Sequence, residues 1–153
     1  MVTQKLSAIS ILKQMKEEGI ISYDLIWVNG KRGRSFTFKC KITFLETKKV
    51  FVGVGEALNV RPAKERAVEA ALQKMLVSIL EKELEERGWT YKLIEKAEDE
   101  HILVITSEFG DTEFPASTPI VAILSAIDRI RRVEIAVDMF VGALLLGAMF
   151  GDI

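Results

Sequence analysis

Basic side chains crowd one stretch of this chain. From Lys31 to Lys49 there are seven Lys and Arg and a single acid, Glu46. Lys31, Arg32 and Arg34 fall in a glycine-bearing turn that can bend around a phosphate backbone. Lys39 and Lys41 alternate with apolar neighbours, which puts them on the wet face of a strand. Further on, Arg61, Lys64 and Arg66 cluster where a helix is expected to begin, and free backbone N–H groups at such an end also favour anions. Cations arranged in this way neutralise phosphates and give affinity without base specificity.

The overall charge of −1 hides an asymmetry. Residues 1–80 hold 14 Lys and Arg against 7 Asp and Glu, a balance of +7; residues 81–153 hold 7 against 15, a balance of −8. Such a split points to a polyanion-binding half, or to two halves that attract each other. The first option makes the chain a nucleic-acid-binding, non-enzymatic protein. RNA is favoured over DNA, because A-form helices are read largely by shape and backbone and need no base-reading motif. The second makes it a protein-interaction or structural module whose lysine-rich face is merely solvated.

Other chemistry finds less material. His101, the one histidine, follows the acidic turn Glu98-Asp99-Glu100 and is expected at the surface, where a strand begins. No serine and acid stand out to complete a triad with it. Cys40 lies on an apolar strand face, the setting of a buried, inert thiol, and a lone cysteine fits a reducing, cytoplasmic compartment. No Cys/His spacing suggests zinc, and no glycine-rich nucleotide loop is present, so no cofactor is expected. Glu108, Asp111 and Glu113 would offer oxygens to Mg²⁺, but an acidic surface loop is far the commoner reading of such a stretch.

The elements that must carry the basic residues are legible in the patterning. Leu6, Ile9, Leu12 and Met15 recur at helical spacing, and Gly19 stops that helix. Ile21–Asn29 is β-branched and aromatic and ends at an Asn-Gly turn. In Ser35–Phe44, Phe36, Phe38, Cys40, Ile42 and Phe44 point to one face and Thr37, Lys39, Lys41 and Thr43 to the other. Val50–Gly55 is a third strand, and Gly53 and Gly55 on one face announce a backbone close by. Pro62 opens a long helix with Val68, Leu72, Met75, Leu76 and Ile79 as its apolar stripe, stopped at Gly88.

Residues 1–88 thus read as an α-β-β-β-α domain, with an antiparallel sheet and both helices on one face. Residues 89–153 read as a β-hairpin (Trp89–Glu95 with Ile102–Ser107) able to extend the first sheet, a loop over Gly110–Ser117, and C-terminal helices opened by Thr118-Pro119. The fold class is therefore α+β. No internal repeat stands out.

Met139–Phe150 carries no charge. It is shorter than the roughly 20 residues that a bilayer demands, so no membrane span is expected. A helix apolar all round needs protein cover, and a second copy would supply it, making the chain a homo-oligomer. Two Asn and three Gln against thirteen Lys and sixteen Glu is a bias common in proteins from hot environments.

The order of elements in residues 1–88, the strand Phe36-Thr37-Phe38-Lys39-Cys40-Lys41-Ile42, the Gly53-Val54-Gly55 step and the alanine-rich Ala67-Val68-Glu69-Ala70-Ala71 together resemble the double-stranded-RNA-binding domain. The series Gly30-Lys31-Arg32-Gly33-Arg34, Val52-Gly53-Val54-Gly55 and Val60-Arg61-Pro62 is similar to a branch of that superfamily, the N-terminal domain of the fifth small-subunit ribosomal protein. The resemblance covers a little over half the chain and implies an RNA-binding fold. It departs from the duplex-binding pattern in two places. Lys31 stands where the first-loop proline is expected, with no histidine after it. At the second helix, Lys64 matches the first of three phosphate-binding lysines, while Glu65 and Val68 occupy the other two positions.

Overall fold

The structure, a computed structural model, describes residues 7–30 and 34–132. Ser7 caps the first helix, α1 (Ala8–Glu17), by accepting the Ser10 N–H on its hydroxyl. Ala8, Ile11 and Leu12 are buried and Met15 is partly buried, one turn-spaced stripe with its stop at Gly19 as expected. Three strands follow: β1 (Ile21–Asn29), β2 (Phe36–Phe44) and β3 (Lys49–Ala57). They pair antiparallel in the order β1-β2-β3. Phe38, Cys40, Ile42 and Phe44 face inward, and Lys39 and Lys41 face water.

The second helix, α2 (Val60–Arg87), lies across the inner face of this sheet. It is capped at Asn59, so Pro62 sits inside the first turn, where no intrahelical N–H bond is needed. Gly53 and Gly55 let it come close. A Cβ on Gly53 would stand 2.5 Å from the Ala67 carbonyl oxygen, and one on Gly55 would stand 2.7 Å from the Arg66 carbonyl carbon. Ala63, Ala67 and Ala71 on the helix match them and have no exposed surface. The helix ends at Gly88, whose φ of 69° lets the Trp89 N–H reach back to the Leu84 carbonyl at 2.9 Å.

The second half departs from expectation. β4 (Thr90–Ala97) and β5 (Glu100–Ser107) form the expected hairpin, but it does not extend the first sheet. Gly110–Ala116, expected as a loop, is a third strand, β6, giving a separate antiparallel sheet in the order β4-β5-β6. A third helix, α3, starts after Thr118, which accepts the Val121 N–H on its hydroxyl, and is helical from 119 through 132. Leu103, Ile105 and Phe114 of this sheet, with Ile120, Ile123, Ile127 and Ile130 of α3, join the same buried cluster as α2.

Among the described residues, β-β-β-α therefore occurs twice after α1. The two units keep one offset of 59 residues at the strand-to-helix joint. Ala57 and Ala116 end strands, Asn59 and Thr118 hold the N-cap positions (only Thr118 with a side-chain bond), and the buried pairs Ala63/Ala67 and Ala122/Ala126 follow. The fold class is α+β, as the patterning indicates. No helix among the described residues is long and apolar enough to cross a membrane. The uncharged run 139–150, expected to join copies, lies outside the described residues.

Candidate nucleic-acid interface

Strand register decides which basic residues meet. Phe36, at the start of β2, pairs with Ala57, at the end of β3, three residues before α2 begins. The turn between β1 and β2 and the first turns of α2 therefore share one end of the sheet. Arg34, in that turn, is exposed, and so are Arg61 and Arg66 on α2. Lys64 is half-buried, with its Nζ 5.4 Å from the centroid of the Phe38 ring. All four belong to segments at this end of the sheet, but they turn to different neighbours: Arg61 lines a groove with Ser7, Ile11 and Ile120, Lys64 lies over Phe38, and Arg66 reaches Glu56. Lys31 and Arg32, which fall between β1 and β2 in the sequence, lie outside the described residues.

Lys39 and Lys41 do not join that group. They project from the outer face of the sheet, where Lys39 sits between Ile26 and Val54, and Lys41 between Asp24 and Val52. The sheet separates them from α2, so one surface does not hold all eight residues that the sequence singles out.

Local bonds restrain part of the cluster. The Arg66 guanidinium donates to the Glu56 carbonyl at 2.6 Å, and the Ser35 hydroxyl donates to the Glu56 carboxylate at 2.5 Å. Glu65 and Val68 have clear structural duties. The Glu65 carboxylate accepts the Ala8 N–H at 2.5 Å and so holds the first turn of α1 against α2. Val68 has no exposed surface. A lysine at either position would break the packing of α1, α2 and the sheet. Beside Glu65 a groove runs between Ser7, Ile11, Arg61, Glu69 and Ile120, so α3 closes over the far side of this helix pair.

The remaining candidates separate on geometry. Cys40 is fully buried, and burial, helped by the Asp24 charge, pushes its thiol up to about 11, which removes it as a nucleophile near neutral pH. His101 is a correction. It is buried rather than at the surface, because β5 is the central strand of its sheet, and its Nδ1 lies 3.2 Å from the Ser117 carbonyl. Glu108 accepts the Trp89 indole N–H at 2.7 Å, and Asp111 accepts the Thr106 hydroxyl at 2.8 Å. Among the described residues, no three acidic, His or Cys side chains come close enough to hold a metal ion. Tyr91 donates to Glu81 at 2.8 Å, and desolvation followed by that bond raises its phenol.

Compared with known proteins, the sequence matches no family model and no curated protein.

Proposed function

We propose that this chain is a non-enzymatic nucleic-acid-binding protein that grips phosphates with the end of the first sheet. The observation that supports this reading is the pairing of Phe36 with Ala57, which puts the turn carrying Arg34 and the start of α2, with Arg61, Lys64 and Arg66, at one end of the sheet. The turn contributes long-armed cations and the helix contributes its N-terminal N–H groups, the two parts of a phosphate clamp. RNA is the favoured ligand, since this arrangement reads backbone shape. Because Glu65 and Val68 are committed to packing, the grip is built from the turn and from Arg61 and Arg66 rather than from a three-lysine helix motif.

The test is binding of the full chain to duplex RNA, duplex DNA and single strands of one sequence across a salt series. Binding should weaken steeply with salt. The double substitution Arg34→Ala, Arg61→Ala should flatten the slope by roughly 0.7–0.9 for each phosphate that is no longer neutralised. A salt slope unchanged in that variant, or no binding at low salt, would remove the proposal.

A further inference from the structure

The two sheets have four edges, and three of them are defended. Along β3, Lys74 donates to the Val52 carbonyl at 2.8 Å and Arg66 to the Glu56 carbonyl at 2.6 Å, so α2 covers the acceptors that another strand would use. β4 carries exposed Lys92, Glu95 and Lys96. β6 carries Pro115, which has no N–H to offer. Charges, prolines and covered acceptors are the usual means of keeping a strand from pairing outward.

β1 is the least defended, with no proline and Lys16 of α1 over the Tyr23 ring at 5.2 Å as its cover from the helix side. Its single charge is Asp24, and it ends in three consecutive exposed apolar residues: Ile26 at 44%, Trp27 at 58% and Val28 at 49% exposure. Its main chain is also turned outward. The Leu45 N–H bonds to the Ile20 carbonyl at 3.1 Å, one rung beyond the Ile21–Phe44 pair. Antiparallel ladders alternate, so Ser22, Asp24 and Ile26 are bonded to β2, and Ile21, Tyr23, Leu25 and Trp27 present their N–H and C=O groups to the open side. The same alternation puts Val52 and Glu56 outward on β3, where α2 covers them.

We propose that β1 pairs antiparallel with β1 of a second copy of this chain, about a two-fold axis at Leu25, to make a continuous six-stranded sheet. The outer face of the strand complements its own copy in charge, which makes a second copy the occupant, and charge together with cover of the exposed Ile26 and Trp27 selects the register. An axis at Asp24 would set two carboxylates directly opposite each other. An axis at Leu25 sets each Asp24 opposite the other copy's Ile26, whose own β2 neighbour is a lysine, Lys39, while Lys41 flanks Asp24 within its own chain. It also lays Trp27 against the other copy's Tyr23 on the helix side, an aromatic pair of the kind that favours cross-strand pairing. The most exposed large residues of the strand are thereby covered. This seam is independent of the 139–150 run and of the nucleic-acid reading.

The experiment measures the mass of the full chain in solution and then locates the seam. Light scattering should give twice 17.2 kDa. Leu25→Pro removes an outward N–H without touching a bond to β2, so it should yield a monomer, with its fold checked by far-UV circular dichroism. For register, Asp24→Cys and Ile26→Cys are made as separate single variants. Residues 24 and 26 of the two copies would form a non-hydrogen-bonded pair with Cα atoms about 4.5 Å apart. Mild oxidation should therefore cross-link a mixture of the two variants well beyond either alone. A monomeric parent overturns the proposal. So does a dimer that survives Leu25→Pro in a folded chain and gives no cross-link in the mixture, because the copies would then meet elsewhere.

Discussion

Substituting Gly53 by alanine tests the close approach of β3 and α2. The new Cβ would begin 2.5 Å from the Ala67 carbonyl oxygen and closer still to the Ala71 backbone nitrogen, where ordinary contact starts at 3.4 Å, so β3 and α2 must part by more than about 0.9 Å. The helix has little room to retreat. Leu72, Met75, Leu76, Leu80 and Leu84 have almost no exposed surface, and the second sheet and α3 share their cluster. Overpacking of this kind costs about 1–3 kcal/mol. The reduced freedom of the unfolded chain returns about 0.4–1 kcal/mol. A net loss of about 1.3 kcal/mol would move a urea midpoint by about 0.65 M for a slope near 2 kcal/mol/M. Gly55→Ala presses on the same helix, so the double variant should cost less than the two single losses added, because one displacement relieves both. Equilibrium urea unfolding of the three variants reads this directly. A Gly53→Ala protein within about 0.5 kcal/mol of the parent would refute the close-approach argument.

Four further outcomes are expected. Ile123→Ala, in α3, should destabilise the whole chain by about 2–5 kcal/mol, with fluorescence and circular dichroism keeping one common transition; a separate second-half transition would show that the core is not shared. Cys40 should add a pH dependence: its thiol, raised from 9.0 to about 11, favours the folded state below pH 9, and that stabilisation drains away between pH 9 and about 11. Subtracting the pH–stability curve of Cys40→Ala should isolate this fall, and identical curves would contradict it. Replacing Arg66 and Lys74 together by alanine should uncover β3 and raise turbidity on storage, whereas either substitution alone should do less, and a clear solution of the double variant would count against edge protection. The Lys- and Glu-rich, Asn-poor composition predicts thermal unfolding above about 65 °C; a midpoint of about 45–65 °C would place the chain among ordinary mesophile domains.

Much of the first half follows from local rules. The alternation from Phe36 to Phe44 defines β2 because a strand has period two, and Lys39 and Lys41 could only face outward once the aromatic residues faced inward. Gly53 and Gly55 signalled a backbone approach because no side chain would fit there, and Gly88 signalled a helix end because it accepts a positive φ. The second half resisted the same rules. Gly110–Ala116 is acidic and holds a proline, so nothing in its own composition makes a strand; pairing to β5 does. His101 looked solvated beside three acids, and only its place on a central strand buries it.

The candidate site divides in the same way. Sequence alone identified the basic side chains and the +7 half, since charge is carried by residue type. Where these cations lie was decided by register and by the sheet itself, which puts the β1–β2 turn with Arg34 at the same end as the start of α2 and leaves Lys39 and Lys41 on the opposite face. Glu65 makes the distinction plain. In the sequence it is a missing phosphate ligand; in the fold it holds α1, 57 residues away along the chain, a partner that no local pattern can name.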